Sequence, residues 1–414
     1  MTFSSSPDRA TATTSSEFDR VLSSGLLRSV FQPIIDLETI STVAYDTATL
    51  GPAGGGLEST AALRAAAARA GRLAGFDGAA RRDALAHAAT AGLNAPRSLF
   101  LGIEPSTVHA LADDTDALSH PMVLKISGRE LESDLVPLLK SLTRIRDHGW
   151  AIAVTEVGID PAALALLPAI APDVITLDLR LLEGLPDQHV ASVLSSVTAY
   201  SEATGCLVLA DGIETEQQVV TARALGATLG QGPLFGRAAE LPSTLPWLSG
   251  VRPAPTGRLA GLRQDTPFSV AAERREARPS NSELLLQISL FLEARAAAEG
   301  RSALVFTTFQ NHANFDDRAV ARYDPLGESA AFVGAFGQGF TEASISARIT
   351  AVDLDPADPL IFEWNVLVIS PNFAATLTAR KVDPSSPSTD RYEFILTHDR
   401  RLTIEAARTL VARL

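Results

Sequence analysis

Between residues 17 and 240, short uninterrupted apolar runs alternate with longer stretches in which apolar residues recur at helical spacing. The runs Val30–Leu37, Val43–Leu50, Leu99–Ile103, Val123–Ile126, Ala151–Val154, Val174–Leu177 and Leu207–Ala210 are short and lack polar alternation. Such strands read as parallel and covered on both faces. Between them, Ser59–Ala91, Glu132–His148 and His189–Thr204 are rich in Ala and Leu with a helical period. Seven or eight such units in about 220 residues predict a (β/α) barrel. The pattern stops near residue 240. Residues 241–280 hold repeated prolines and no sustained period, which predicts a linker.

From 281 to 414 the pattern predicts a second, smaller α/β domain with helices packed on a sheet. Ser282–Ala298 reads as an amphipathic helix capped by Asn281 or Ser282. Strands are expected at Ala303–Phe309, Ala331–Phe336, Ala347–Val352, Ile361–Ile369 and Arg391–Thr397, and helices at Asp316–Arg322, Asn372–Lys381 and Leu402–Leu414. Residues 1–16 are rich in Ser and Thr and are expected to stay disordered.

Charge narrows the function classes. The net charge of −13 is concentrated in residues 1–250, with 17 basic and 28 acidic side chains, against 18 and 20 in the remainder. An acidic surface repels phosphate backbones, so direct nucleic-acid binding is not expected. Cys206 is the single cysteine, which excludes a disulfide framework and a thiolate zinc site. It stands before an apolar run, where a buried inert thiol is expected. The chain has no G-x-S-x-G turn. Its start lacks the apolar core of a signal peptide, and no run of about 18 apolar residues occurs, so a cytoplasmic protein without a membrane span is expected.

One phrase carries chemistry. Residues 31–50, FQPIIDLETISTVAYDTATL, are followed in order by Leu99–Pro105, Val123–Gly128, Ala153–Asp160, Pro172–Asp178, Leu209–Gln217 and Leu229–Arg237. Together they resemble the EAL family of cyclic di-GMP phosphodiesterases over roughly residues 20–240. That resemblance implies a barrel with two divalent cations at the C-terminal ends of its strands. The positions of its metal ligands are occupied here by Asp46, Gly102, Lys125, and Thr155 with Glu156. The position of its catalytic lysine holds Thr176, the first glutamate of its EGVE motif is Asp211, and its phosphate-binding arginine is Leu50.

Mg²⁺ demands oxygen ligands. Gly102 offers no side-chain donor, and Lys125 places a positive charge where a dication should sit. Repulsion of that kind is about 4 kcal/mol per unit charge at ~4 Å with an effective dielectric near 20. Metal-dependent hydrolysis is therefore not expected: no catalytic residues, no bound metal and no cofactor. By resemblance, Gln32, Asp178, Glu214 and Gln231 complete the remnant site with Asp46, Lys125, Glu156 and Asp211. Asp178 would lie near the second metal, Glu214 would brace a loop, and Gln231 would face the site. For Asp178, Glu214 and Gln231 the plainer reading, a carboxylate or amide that ties down a neighbouring loop, is preferred.

The second region resembles the DICT domain, a sensory module, on Leu284–Ser289, Glu293, Phe306–Gln310, Arg322-Tyr323, Phe332–Gly337, Trp364–Val366 and Phe373. Phe306, Phe309, His312 and Phe315, with Gln310, are candidates to line an apolar sensor pocket; a plain core with a surface histidine is the competing reading. The resulting expectation is a non-catalytic bacterial signalling protein. A degenerate EAL barrel would act as a protein-interaction module for a basic partner, coupled to a sensor of a small molecule or protein. The alternatives are a cyclic di-GMP receptor that binds without hydrolysis and, third, a weak phosphodiesterase. A homodimer is an expectation from the family.

Overall fold

Four residues join the first two strands, too few for a parallel crossover, so the chain begins with a hairpin. In the computed structural model β1 (Arg28–Asp36) and β2 (Ser41–Leu50) pair antiparallel. Asp36 Oδ1 holds the turn by accepting from the backbone N–H groups of Glu38 and Thr39 and from the Thr39 hydroxyl. The described residues are 17–93, 97–112, 122–131, 135–157, 161–183, 186–245, 250, 253–254, 264–340, 348–383 and 390–414. The disorder expected over 1–16 lies outside them.

The barrel closes in sequence order through β3 (Ser98–Gly102), β4 (Met122–Ser127), β5 (Ala151–Thr155), β6 (Val174–Asp178), β7 (Leu207–Asp211) and β8 (Leu229–Gln231). From β2 onward the strands are parallel; β1 is antiparallel to both of its neighbours. The barrel is the expected one, with two corrections. The sheet is not wholly parallel, and the eighth strand is a three-residue segment too short to read from pattern. Ser59–Ala91 forms two helices, α1 (Thr60–Arg69) and α2 (Leu73–Thr90). They are divided at Gly71, whose φ of +63° ends the first helix. The other barrel helices are α3 (Val108–Ala112), α4 (Leu135–Asp147), α5 (Pro161–Ile170), α6 (Leu179–Glu183), α7 (Asp187–Thr204) and α8 (Glu216–Ala224).

The second domain is built on a seven-stranded sheet ordered β12-β11-β10-β13-β14-β15-β9. Its elements are α9 (Pro267–Ala272), β9 (Arg278–Ser280), α10 (Ser282–Glu299), β10 (Leu304–Asn311), α11 (Asp317–Ser329), β11 (Phe332–Gln338), β12 (Thr350–Asp353), β13 (Glu363–Ile369), β14 (Ala374–Lys381), β15 (Tyr392–Thr397) and α12 (Arg400–Val411). Asn281 caps α10 by accepting from Leu284 N. The helix expected over Asn372–Lys381 is instead strand β14, paired with β13 and β15. Thr376 and Thr378 favour extended backbone, and residues 374–379 are buried within the sheet, where tertiary pairing overrides the helical tendency of its alanines. The linker expected over 241–280 contributes α9 and β9 to this domain, because a six-residue helix and a three-residue edge strand leave no period to read.

The two domains share a core. Helix α5, PAALALLPAI, is apolar all round, and residues 162–170 are all buried. One side rests on the barrel, the other on α12 and the Gly300–Ser302 turn. A single cluster runs from Leu166 and Leu167 to Phe306, Phe332, Ile404 and Leu410. On the sheet's other face, α10 and α11 cover Val305, Val333, Val366 and Val368. Among the described residues, no helix is long and apolar enough to cross a membrane.

Glu363 fastens α9 to the sheet. Its Oε2 accepts from Phe268 N at 3.3 Å and from Asn365 Nδ2 at 3.1 Å. Burial pushes its carboxyl up to about 7. The native state therefore retains a proton that the unfolded chain has lost between the ordinary glutamate range and about pH 7. Stability falls as pH rises through that window, by up to about 1.4 kcal/mol per pH unit. Glu363→Gln should remove this slope, gaining on the parent as pH goes from 5 to 8 in chemical unfolding. A difference between the two that is constant with pH would refute this titration.

Candidate functional site

At the C-terminal mouth of the barrel a cavity of about 390 Å³ gathers Asp46, Gly102, Lys125, Glu156, Thr176, Asp178, Asp211 and Gln231. Seven strand ends thus bring together residues spread over almost 190 positions of sequence. The register explains how. Gln32 faces Asp46 across the β1–β2 hairpin, Ile34 faces Gln231, and Asp178 faces Asp211. Gln231 Nε2 donates to Gln32 Oε1 at 2.9 Å and to Asp46 Oδ2 at 3.0 Å. Gln32 Nε2 donates to the Gly236 carbonyl at 2.9 Å.

The ammonium of Lys125 reaches from β4 to Asp46 and forms an ion pair with its Oδ1. Neither side chain is more than about a fifth exposed. Glu156 pairs with Arg129 at 3.2 Å and accepts from the Ser127 hydroxyl at 2.6 Å; its backbone takes a positive φ of 55° just past β5. Non-glycine residues are uncommon in that region and cluster at active sites and ligand clamps. Asp178 Oδ1 accepts from Arg180 N at 2.9 Å and lies 3.5 Å from its guanidinium Nε.

Sequence reasoning missed Arg64. From α1 it meets Glu104 at 2.6 Å and Asp77 at 3.4 Å, and donates to the Gly102 carbonyl at 2.8 Å. A Cβ at residue 102 would stand 3.2 Å from that Nη2. The missing side chain at Gly102 thus makes room for a guanidinium, which one of two arginines in an alanine-rich helix does not announce. Glu214 lies apart from the group: it is exposed, and its backbone N–H donates to Gln218 in the capping box that starts α8. Asp77, Glu104, Ser127, Arg129 and Arg180 were likewise not among the expected site residues.

Four mouth carboxylates, Asp46, Glu104, Glu156 and Asp178, each have a basic side chain within 4 Å. Asp211 differs. Its Oδ1 accepts from Gly212 N, while burial first, and then the charge of Asp46, hold its carboxyl above the usual range; Lys125 counteracts this.

The second domain holds a cavity of about 570 Å³ between β10, β13, α10 and α11. Phe309 and Gln310 line it. Phe306 lies on the opposite face of the sheet against Phe332, Phe315 is buried beneath Phe309, and His312 is exposed on the turn after β10. The alternating faces of β10 account for the split between Phe306 and Phe309. The cavity's inner end is Tyr323, which donates to Glu293 Oε1 at 2.9 Å and lies 3.1 Å from the Thr307 hydroxyl; Arg322 holds Glu293 Oε2 at 2.8 Å. Trp364 forms a side wall, its Nε1 donating to Ser289 at 3.0 Å and its ring edge-on to Tyr392. Glu293, Thr307, Arg322-Tyr323 and Trp364 all belong to the short motifs on which the sensory-domain resemblance rests, and folding brings those motifs to one place.

An eight-stranded β/α barrel with an antiparallel first strand and carboxylates at its mouth defines the class of the first domain. Residues 15–238, more than half of the sequence, match the EAL domain, and the chain belongs to that family. Residues 268–382 match the DICT domain, described as a sensory domain in diguanylate cyclases and two-component systems. The chain is similar to the cyclic di-GMP phosphodiesterase RocR of Pseudomonas aeruginosa, 28% identical over 170 residues, which are 39% of this chain and 43% of that protein. It is also similar to the oxygen sensor protein DosP of Escherichia coli, 24% identical over 138 residues, 32% of this chain and 17% of that one. It spans less than half the length of these relatives. Among solved structures, the Xanthomonas citri FimX EAL domain in complex with cyclic di-GMP overlays 56% of this chain and 96% of its own, at 15% identity and a TM-score of 0.48.

Lys125→Met should leave Asp46 and Asp211 as neighbouring carboxylates without the ammonium. Asp211, whose carboxyl burial already holds above the ordinary range, then loses the charge that opposes that shift, so the native state holds a proton that the unfolded chain has lost and loses stability as pH rises. The expected cost is about 1–3 kcal/mol at pH 8 and little at pH 4.5, read by chemical unfolding. A loss of equal size at both pH values would show that the stem's packing, not the charge, is what matters.

Proposed function

We propose that this chain is a non-catalytic signalling protein in which the EAL barrel serves as an interaction module and the DICT domain as the sensor. The observation that carries the reading is the ion pair between Lys125 and Asp46. In a phosphodiesterase of this family a dication neutralises the mouth carboxylates and presents the attacking water. Here the neutralising charges are covalently attached: Lys125, Arg64, Arg129 and Arg180 stand beside Asp46, Glu104, Glu156 and Asp178. Gly102 supplies no side-chain oxygen, and Thr176 supplies a hydroxyl where the family has an ammonium. The donor set does not fit a pair of Mg²⁺ ions, and no hydrolytic step is drawn through it.

The acidic balance of residues 1–250 suits a basic protein surface as partner of the barrel, through complementarity that raises association rates and excludes acidic competitors. RocR is named a cyclic di-GMP phosphodiesterase and FimX is seen with cyclic di-GMP, so binding of that dinucleotide without cleavage is the reading the test must separate. Isothermal calorimetry of the full chain with cyclic di-GMP, with and without Mg²⁺, should give no saturable heat, and chromatography of the mixture no linear dinucleotide. Tight binding without cleavage would replace the interaction-only reading by a receptor. Turnover to the linear product would overturn both.

A further inference from the structure

The cavity of the DICT domain has a chemical character of its own. Five charged side chains line it: Glu293, Asp316, Arg318, Arg322 and Lys381. Glu293 is engaged by Arg322 and Tyr323. Asp316 caps α11, its Oδ1 accepting from the backbone N–H groups of Arg318 and Ala319. The remaining two are cations. Among the described residues neither the Arg318 guanidinium nor the half-buried Lys381 ammonium has a carboxylate partner. In a chain of net charge −13, this is a local excess of positive charge at the rim of a concave site.

The walls are aromatic. Phe309, Tyr323, Trp364 and Tyr392 present rings or ring edges, and Leu286 and Phe362 stand at the opening with 37% and 49% of their surface exposed. Exposed apolar groups converging on a cavity mark a binding site more often than a plain surface. One corner is fixed under strain. Gln310 has a φ of +54°, its Nε2 donates to the Glu363 carbonyl at 3.0 Å, and its Oε1 accepts from Asn314 Nδ2 at 2.9 Å. The indole N–H of Trp364 is engaged by Ser289, so that wall offers a ring face and edge and no free donor.

The geometry points to a planar aromatic compound bearing an anionic group as the ligand of this cavity, the ring against Trp364 and Phe309 and the anion between Lys381 and Arg318. The inference rests on the sensor reading of the domain. An aromatic carboxylate and a nucleoside monophosphate share this chemistry, and a volume of about 570 Å³ admits either.

Calorimetry of the full chain against charge-matched sets separates the sources: 2-naphthoate, 2-naphthamide and 2-naphthylmethylamine, and adenosine monophosphate with adenosine. At least one anionic member should bind about tenfold or more tightly than its neutral counterpart. Lys381→Ala and Arg318→Ala should each weaken that member about fivefold and leave its neutral counterpart unchanged, and added salt should narrow the gap. Preference for carboxylate over phosphate, or the reverse, names the source. Equal or tighter binding by a neutral or cationic member overturns the anionic class, and so does a panel in which nothing binds. The sensor reading is read separately, by hydrogen exchange at α5 with the bound compound present. Unchanged exchange there would remove that reading even if the anionic preference holds.

Discussion

Helix α5 has no polar side, and that constraint organises the whole chain. A helix with an apolar stripe needs one surface to cover it; PAALALLPAI needs two. The barrel supplies the first and α12 with the Gly300–Ser302 turn the second, and both domains drain into one hydrophobic cluster. Arg146, near the end of the neighbouring helix α4, secures the end of α5, its Nη2 donating to the carbonyls of Ile170 and Ala171 at 2.7 Å. A cation at a helix C-terminus also answers the helix dipole. Burial lowers its affinity for the proton, with the charge of Asp173 opposing that effect. Separating the domains would expose Leu167, Ile404 and Leu410 together, so each domain is part of the other's solvent shield.

At the barrel mouth, on the proposed reading, the same fold holds its carboxylates by a different means. Carboxylates crowded at strand ends repel one another, and in a low-dielectric cleft at ~4 Å that repulsion reaches about 4 kcal/mol per pair. Something must neutralise them. Lys125, Arg64, Arg129 and Arg180 come from a strand, a helix and two loop or helix starts, and each stands beside a different carboxylate. Asp211, which among the described residues has no basic side chain within ion-pair distance, has its carboxyl held upward by burial and by the charge of Asp46. A cation carried by the chain stays at every pH below its own deprotonation and at every metal concentration.

Much of this was legible. The strand runs and the ordered motifs fixed the barrel, and the position of Lys125 foretold a positive charge at the mouth. Its partner was less accessible, because Asp46 and Lys125 meet only through β2 and β4 lying on either side of β3. Arg64 left no trace in a run of alanines, and its role depends on the space beside Gly102. In the second domain, an alanine-rich run at 372–381 read as a helix because propensity is local, while the pairing that makes β14 a strand comes from β13 and β15. Phe306 and Phe309 read as one aromatic group, yet they face opposite sides of β10. The residues that do build the cavity, Glu293, Tyr323 and Trp364, were visible as motif fragments and lacked only the fold to unite them.

Glu363 joins the cavity to the rest. Its backbone carbonyl accepts from the Thr308 hydroxyl at 2.8 Å and from Gln310 Nε2 at 3.0 Å, inside the cavity's polar corner. Its carboxylate accepts from Phe268 N, at the start of α9. Helix α9 packs on α12, and α12 packs on α5. A compound that moved Gln310 out of its positive-φ conformation would relieve strain there and remove one of the two side-chain donors bonded to the Glu363 carbonyl. Close-packed elements shift as bodies rather than deform. Packed contacts thus run unbroken from that corner through the α9–α12 pair to α5, the helix that follows β5, the strand beside which Glu156 stands at the barrel mouth.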